Sequence, residues 1–265
     1  MRPVLAAFSV VFWAFFVLSL PPLFAIALIV YLLTAPFDRR RLALHLWSCA
    51  WGTFYLVVSP IWRVRVTGRE RLPWRGPAVL VANHLSMLDI LVLYALFRPF
   101  KWVAKAELFR VPFVGWNMWI NDYVGLRRGD RESIRKMMEH CRAHLARGTP
   151  VLLFPEGTRS RDGHLQAFKD GAFRLAVEAN VPVIPIVVMG TAEVLPKNGF
   201  MLRKRMDARV QVLEPLHPSA YGSVDALREA SRAAIAAALP EANRPLSRPA
   251  PAGAAGGERP AADAR

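Results

Sequence analysis

The sequence predicts an α/β domain, a central mostly parallel or mixed sheet flanked by helices, carried on an N-terminal helical membrane anchor. Three observations lead there. No charged side chain occurs between Arg2 and Asp38. Beyond residue 62, short apolar runs alternate with helical patterns. After Pro240 the composition turns to Pro, Ala, Gly and Arg, with few large apolar residues. The 265 residues therefore divide into membrane-anchoring helices at 1–62, a globular domain at 63–239 and a disordered tail at 240–265.

The anchor comes first. A helix running from Arg2 to Asp38 would reach about 50 Å, against a hydrocarbon core of about 30 Å. Pro21-Pro22 falls near its middle, and each proline removes a helical hydrogen bond. The expectation is a kink or break there, giving a hairpin or one span plus a surface piece. Arg39-Arg40-Arg41 then marks a cytoplasmic end. Ala25-Ile26-Ala27 resembles a signal-peptide cleavage site, but the apolar run continues to Leu33, which fits a retained anchor. In the second apolar stretch, 42–62, Trp47, Trp51 and Tyr55 repeat every four residues while His45, Ser48 and Thr53 interrupt the run. That pattern suits an interfacial or re-entrant helix, with a core helix packed on the globular domain as the alternative.

From residue 63 the runs 63–67, 78–82, 102–104, 123–126, 151–154, 183–189 and 209–213 read as strands. Several are unbroken in apolar character, as strands covered on both faces should be. Between them 87–97, 131–147, 172–179 and 224–239 read as helices, with Asp130 as N-cap of the second and Gly148 as its stop. Both of the chemically suggestive strings described below follow or close a strand, where α/β domains place their functional loops.

Mean hydropathy is +0.24 and the formal net charge +15. The charge is concentrated: residues 63–239 hold 27 basic against 16 acidic side chains, while 1–62 and 240–265 carry only +3 and +1. A basic domain tied to an apolar segment points to anionic headgroups or a soluble acidic carrier. Nucleic acid is not the expected partner, because the chain has no zinc-ligand spacing and no basic helix with heptads. Cys49 and Cys141 have no partner pattern and read as buried thiols in a reducing compartment.

Two strings carry chemistry. Asn83-His84-Leu85-Ser86-Met87-Leu88-Asp89 sets an imidazole just past a strand and a carboxylate in the first turn of the next helix. An alcohol needs a base as it attacks, and imidazole titrates in the right range. A carboxylate behind it would fix the tautomer, as in a serine-hydrolase triad with the substrate hydroxyl in place of the serine. Ser86 lacks a Gly-x-Ser-x-Gly setting and makes a poor nucleophile candidate. In Phe154-Pro155-Glu156-Gly157-Thr158-Arg159-Ser160, Gly157 permits close backbone approach, Thr158 offers a hydroxyl and Arg159 a fork for phosphate. Glu156 is expected to orient Arg159 or accept a bond from a glycerol hydroxyl. Arg127, Arg128 and Lys105, at the ends of two other strands, could add positive charge at the same sheet edge.

The string from Asn83 to Asp89 resembles the Asn-His-x4-Asp signature of the glycerolipid acyltransferases, specifically the 1-acylglycerol-3-phosphate acyltransferases. Further blocks match in order: Lys105-Ala106-Glu107-Leu108 through Pro112-Phe113-Val114-Gly115-Trp116, then Gly125-Leu126-Arg127-Arg128. Phe154 to Ser160 with Phe168-Lys169-Asp170-Gly171-Ala172, and Val181-Pro182-Val183-Ile184-Pro185, complete the series. The resemblance covers residues 63 to about 215. It implies His84 as base, Asp89 as its partner, and Glu156, Gly157, Thr158, Arg159 and Arg128 as the site for the acceptor's phosphate and glycerol. It also implies an acyl-CoA or acyl-carrier-protein donor, a lysophosphatidate acceptor, and no metal or other cofactor. One position departs: the acidic residue often found before the second block's arginine is here Arg127, so a register shifted by one would make Arg127 the ligand.

The expectation is thus a cell-membrane acyltransferase with its catalytic domain on the cytoplasmic side, making phosphatidate from 1-acylglycerol 3-phosphate for phospholipid biosynthesis. Alternatives are a related acyltransferase using glycerol 3-phosphate or a lyso-aminolipid, and a non-catalytic lipid-binding membrane protein.

Overall fold

Residues 2–160, 162–195 and 201–246 are described in a computed structural model. Seven strands form one mixed sheet: β1 (Trp62–Thr67), β2 (Val79–Ala82), β3 (Lys101–Lys105), β4 (Val124–Leu126), β5 (Val151–Leu153), β6 (Val183–Met189) and β7 (Met206–Val212). Their spatial order is β1-β7-β6-β2-β5-β3-β4. From β6 to β4 all neighbours run parallel; β7 is antiparallel to β6, and β1 parallel to β7.

The unbroken apolar strands are explained by two helical layers. Helices α1 (Arg2–Thr34), α2 (Leu42–Val58), α3 (Leu88–Tyr94) and α4 (Val114–Ile120) share a core with Leu80, Ala82, Leu152, Ile184 and Ile186. On the other face, α5 (Arg131–Ala146), α6 (Gly171–Ala179) and α7 (Val224–Ala238) pack on Val79, Val81, Val151, Leu153 and Val187. Alternate residues of one strand thus enter different cores, each burial worth about 1.5–3 kcal/mol for a side chain of this size. The outer strands β1 and β7 instead alternate buried with exposed residues, because one of their faces is open.

Local signals place the helix ends. The Asp130 carboxylate accepts the Ser133 N–H at 3.1 Å at the start of α5, and Gly148, at φ +68°, follows its last turn. The short helix α4 was not foreseen. Its apolar run is too brief to show a helical period, and its entry depends on Gly115, where a Cβ would lie 2.4 Å from the Phe109 carbonyl oxygen.

One expectation about the anchor is corrected. The helix does not break at Pro21-Pro22; α1 is continuous over 33 residues. Packing across the prolines offsets their cost of about 3 kcal/mol each: Ser19 Oγ pairs with Tyr55 Oη at 2.7 Å on one side, and Trp47 Nε1 donates to the Leu23 carbonyl at 3.2 Å on the other. The aromatic stripe of α2 faces α1, with Trp51 and Tyr55 buried, while Phe54, Val57 and Val58 of the same helix are exposed. Pro3–Thr34 is long and apolar enough to cross a membrane, and little of its most apolar window is buried.

Cys49 and Cys141 are free and buried, and burial pushes both thiols up to about 12. Of the tail, the turn Glu241–Asn243 is ordered, its Asn243 carbonyl accepting the Leu165 N–H at 3.0 Å. The expected disorder of the remainder falls on 247–265, outside the described residues.

Candidate active site

The register of the parallel strands brings the ends of β2, β5, β3 and β4 to one edge of the sheet. His84 lies beyond β2, the loop with Glu156, Gly157, Thr158 and Arg159 beyond β5, Lys105 at the end of β3, and Arg127 and Arg128 beyond β4. Because β2 and β5 are neighbours, the two strings seventy residues apart meet.

His84 Nδ1 lies 2.8 Å from Asp89 Oδ2, and the same oxygen accepts the Leu85 and Ser86 N–H groups at 2.7 and 2.8 Å. Asp89 Oδ1 accepts Thr191 Oγ1–H at 2.5 Å. The carboxylate is wholly buried and fully engaged, so it cannot rotate away from the ring. The other face of the imidazole arrangement is set by Phe154, whose ring stacks on His84 with centroids 4.1 Å apart. Asn83 exchanges two bonds of 2.8 Å with the Val188 backbone, and Ser86 Oγ donates to the Leu195 carbonyl at 2.9 Å. Ser86 is therefore a structural tie.

Glu156 is turned inward: one carboxylate oxygen accepts the His84 N–H at 2.7 Å and the other the Gln166 N–H at 3.2 Å. Burial pushes its pKa up to about 7, opposed by those two amides; the Asp89 charge adds to the rise and Arg232 counters it. In return, Ser160 N–H donates to the His84 carbonyl at 2.9 Å. Gly157 sits at φ +72°, where its turn needs glycine and where a Cβ would meet the Lys169 side chain at 2.9 Å.

Arg159 and Thr158 are half-buried. Burial lowers the Arg159 guanidinium below its ordinary range, the Asp89 charge opposing and Arg128 adding to the shift, so these three groups share one electrostatic neighbourhood. Arg128 is exposed, as is Arg127, whose N–H donates to Ser133 Oγ at 2.8 Å. Lys105 is half-exposed and lies 3.5 Å from Glu107. Thr191, Phe154 and Lys169 were not anticipated as parts of the site. Thr191 follows β6, which flanks β2 on its other side, and only the strand order reveals that proximity.

The arrangement can take a proton from an alcohol at one point and hold an anion a short way off. A family model described as Acyltransferase matches residues 63–189. A 1-acyl-sn-glycerol-3-phosphate acyltransferase of Chlamydomonas reinhardtii is 41% identical over 239 residues, covering 88% of this chain and 69% of that one. The chain belongs to the 1-acylglycerol-3-phosphate acyltransferase family. A chloroplastic acyltransferase of the same description from Brassica napus is 36% identical over 223 residues, 81% of this chain and 63% of its own length. The crystal structure of the 1-acyl-sn-glycerophosphate acyltransferase PlsC from Thermotoga maritima superposes with a TM-score of 0.72 at 25% identity, covering 89% and 95% of the two chains. This acyltransferase thus shares the fold of a solved relative.

Proposed function

We propose that this acyltransferase moves a fatty acyl group from a thioester to the 2-hydroxyl of 1-acylglycerol 3-phosphate, giving phosphatidate. The observation that carries this reading is the buried, four-bonded Asp89 carboxylate behind His84, one strand away from the Arg159 loop. With Nδ1–H donating to Asp89, Nε2 holds the lone pair that receives the hydroxyl proton. The alcohol oxygen attacks the thioester carbonyl, the C–S bond breaks as the ester C–O bond forms, and the imidazolium returns the proton to the departing thiolate. No acyl-enzyme and no cofactor enter this sequence.

Arg159 and Thr158 hold the acceptor phosphate, Arg128 adds positive charge at the rim, and Gly157 shapes the turn that presents them. Glu156 acts as a positioning residue, fixing the His84 backbone to the phosphate loop. The donor is acyl-CoA or acyl-carrier protein. The long apolar α1 holds the enzyme at the membrane where its acceptor resides, and Arg39-Arg40-Arg41 at its end sets the catalytic domain on the cytoplasmic side.

The test is thiol release by the purified full chain with each donor against a panel of lysophosphatidate, glycerol 3-phosphate and a lyso-aminolipid. Release should depend on lysophosphatidate and yield phosphatidate. Faster turnover with either other acceptor would replace the proposed substrate, and no release with any would end the enzymatic reading.

A further inference from the structure

The end of the sheet opposite His84 carries a second concentration of charge. A recess of about 640 Å³ is walled by Arg39, Arg40, Arg41 and Arg147, with Asp38 and Tyr31. Thr149, which Arg40 contacts, precedes β5, whereas Glu156 follows it, so the sheet separates this recess from the candidate active site.

Four guanidinium groups line this recess with one carboxylate, Asp38, whose Oδ2 accepts the Ala43 N–H at 2.8 Å at the start of α2; a second carboxylate, Asp122, stands beside Arg147 outside the lining. Two of the arginines are fixed from behind. Arg40 Nε donates to Thr149 Oγ1 at 3.1 Å, and Arg41 Nη1 to the Ile120 carbonyl at 2.5 Å, with its guanidinium 5.3 Å from the Tyr31 ring centroid. Arg39 and Arg147 are exposed at the rim, Arg147 lying 3.5 Å from Asp122. Crowded like charges repel, and an anion with several acceptor oxygens relieves that repulsion.

The surroundings narrow the choice of anion. Leu32 and Leu33, on the last turn of α1, are 62% and 68% exposed, and Phe37 just beyond is 76% exposed. These exposed apolar side chains alternate along the chain with Tyr31 and Ala35, which line the cationic recess, a combination that suits a molecule with both a phosphate and acyl chains. We propose that this recess is a second lipid site, which binds the phosphate of an intact anionic phospholipid while its chains lie along the exposed end of α1.

Native mass spectrometry of the detergent-solubilised full chain tests this, with phosphatidylglycerol and phosphatidylcholine of equal chain length. The wild type should retain phosphatidylglycerol about tenfold or more over phosphatidylcholine. The double variant Arg39→Gln, Arg147→Gln should bring that preference to within about twofold, while Arg39→Lys, Arg147→Lys and Arg159→Ala should each preserve it. Circular dichroism and thiol release report folding, and the single Arg39→Gln replaces the double variant if the latter does not fold. An absent preference, or one that survives in the Gln variants, overturns the site. Its loss in Arg159→Ala would put the lipid in the acceptor site instead. Inorganic phosphate or glycerol 3-phosphate binding as tightly as the lipid would make this a free-phosphate site and overturn the lipid assignment.

Discussion

Two histidine–aspartate pairs stand at opposite ends of the sheet, and their ring-to-carboxylate distances are nearly equal: 2.8 Å for His84 with Asp89 and 3.0 Å for His140 with Asp122. Their surroundings differ in kind. Asp89 is wholly buried and receives two backbone amides and the Thr191 hydroxyl besides the imidazole. Asp122 is partly exposed at φ +61°, and it divides its charge among His140, His144 and Arg147. The His140 ring stacks on His144 and is more than a third exposed. A histidine–carboxylate contact is therefore cheap to form. A fixed orientation, a buried carboxylate and a neighbouring arginine loop separate the His84 pair from a surface ion cluster.

The largest effect should come from removing the base. His84→Ala is expected to lower turnover by about 10²–10⁴-fold with the fold intact, while His140→Ala stays within about twofold; equal losses in a thiol-release assay would erase the distinction between the pairs. Next come the carboxylates. Asp89→Asn should cost about 10²-fold by mis-setting the tautomer, and Asp122→Asn almost nothing. Arg159→Ala should raise the acceptor KM by about 10- to 100-fold and leave donor dependence unchanged, since a charge-assisted phosphate contact is lost. A shift in donor KM alone would move the phosphate site elsewhere.

The smallest effects concern pH and stability, and the two ends of the sheet should differ in sign. Burial lowers His144 from 6.5 to about 4, against the attraction of Asp122. The unfolded chain then binds more protons between those values, so this contribution is complete above about 6.5 and lost as pH falls towards 4. Glu156, raised by burial from 4.5 to about 7, behaves oppositely: its contribution is complete below about 4.5 and declines as pH rises to 7. Denaturant unfolding across this range should show His144→Gln flattening the acid side and Glu156→Gln the neutral side. Profiles parallel to wild type in both would discard these assignments.

The sequence made much of this visible for reasons that can be named. The run 183–189 coincides with β6 because both its faces are buried, leaving no polar residue to blur it. The run 209–213 caught only part of β7, because Asp207 and Arg209 point to its open face and disguise its first half. The proline pair in α1 is a strong local signal that packing on α2 overrides, and sequence does not display packing partners. At the site, His84 and Asp89 were legible because they lie only five positions apart. Thr191 was not, because it reaches Asp89 from a strand a hundred residues on. Glu156 looked like a ligand because charged residues usually face water, and only its two amide partners reveal the inward orientation.

The paired ties between the β2 and β5 loops have a further consequence. His84 donates its N–H to Glu156 and accepts one from Ser160, so the ring and the loop that ends in Arg159 are laced together at both ends of one short stretch. The two are tied as one body, so the spacing between the His84 ring and the Arg159 loop is set by the backbone. Under the proposed roles, drift towards a longer or shorter headgroup is closed to this part of the molecule. It is open at the exposed β4 loop, where Arg127 and Arg128 can change without disturbing the base.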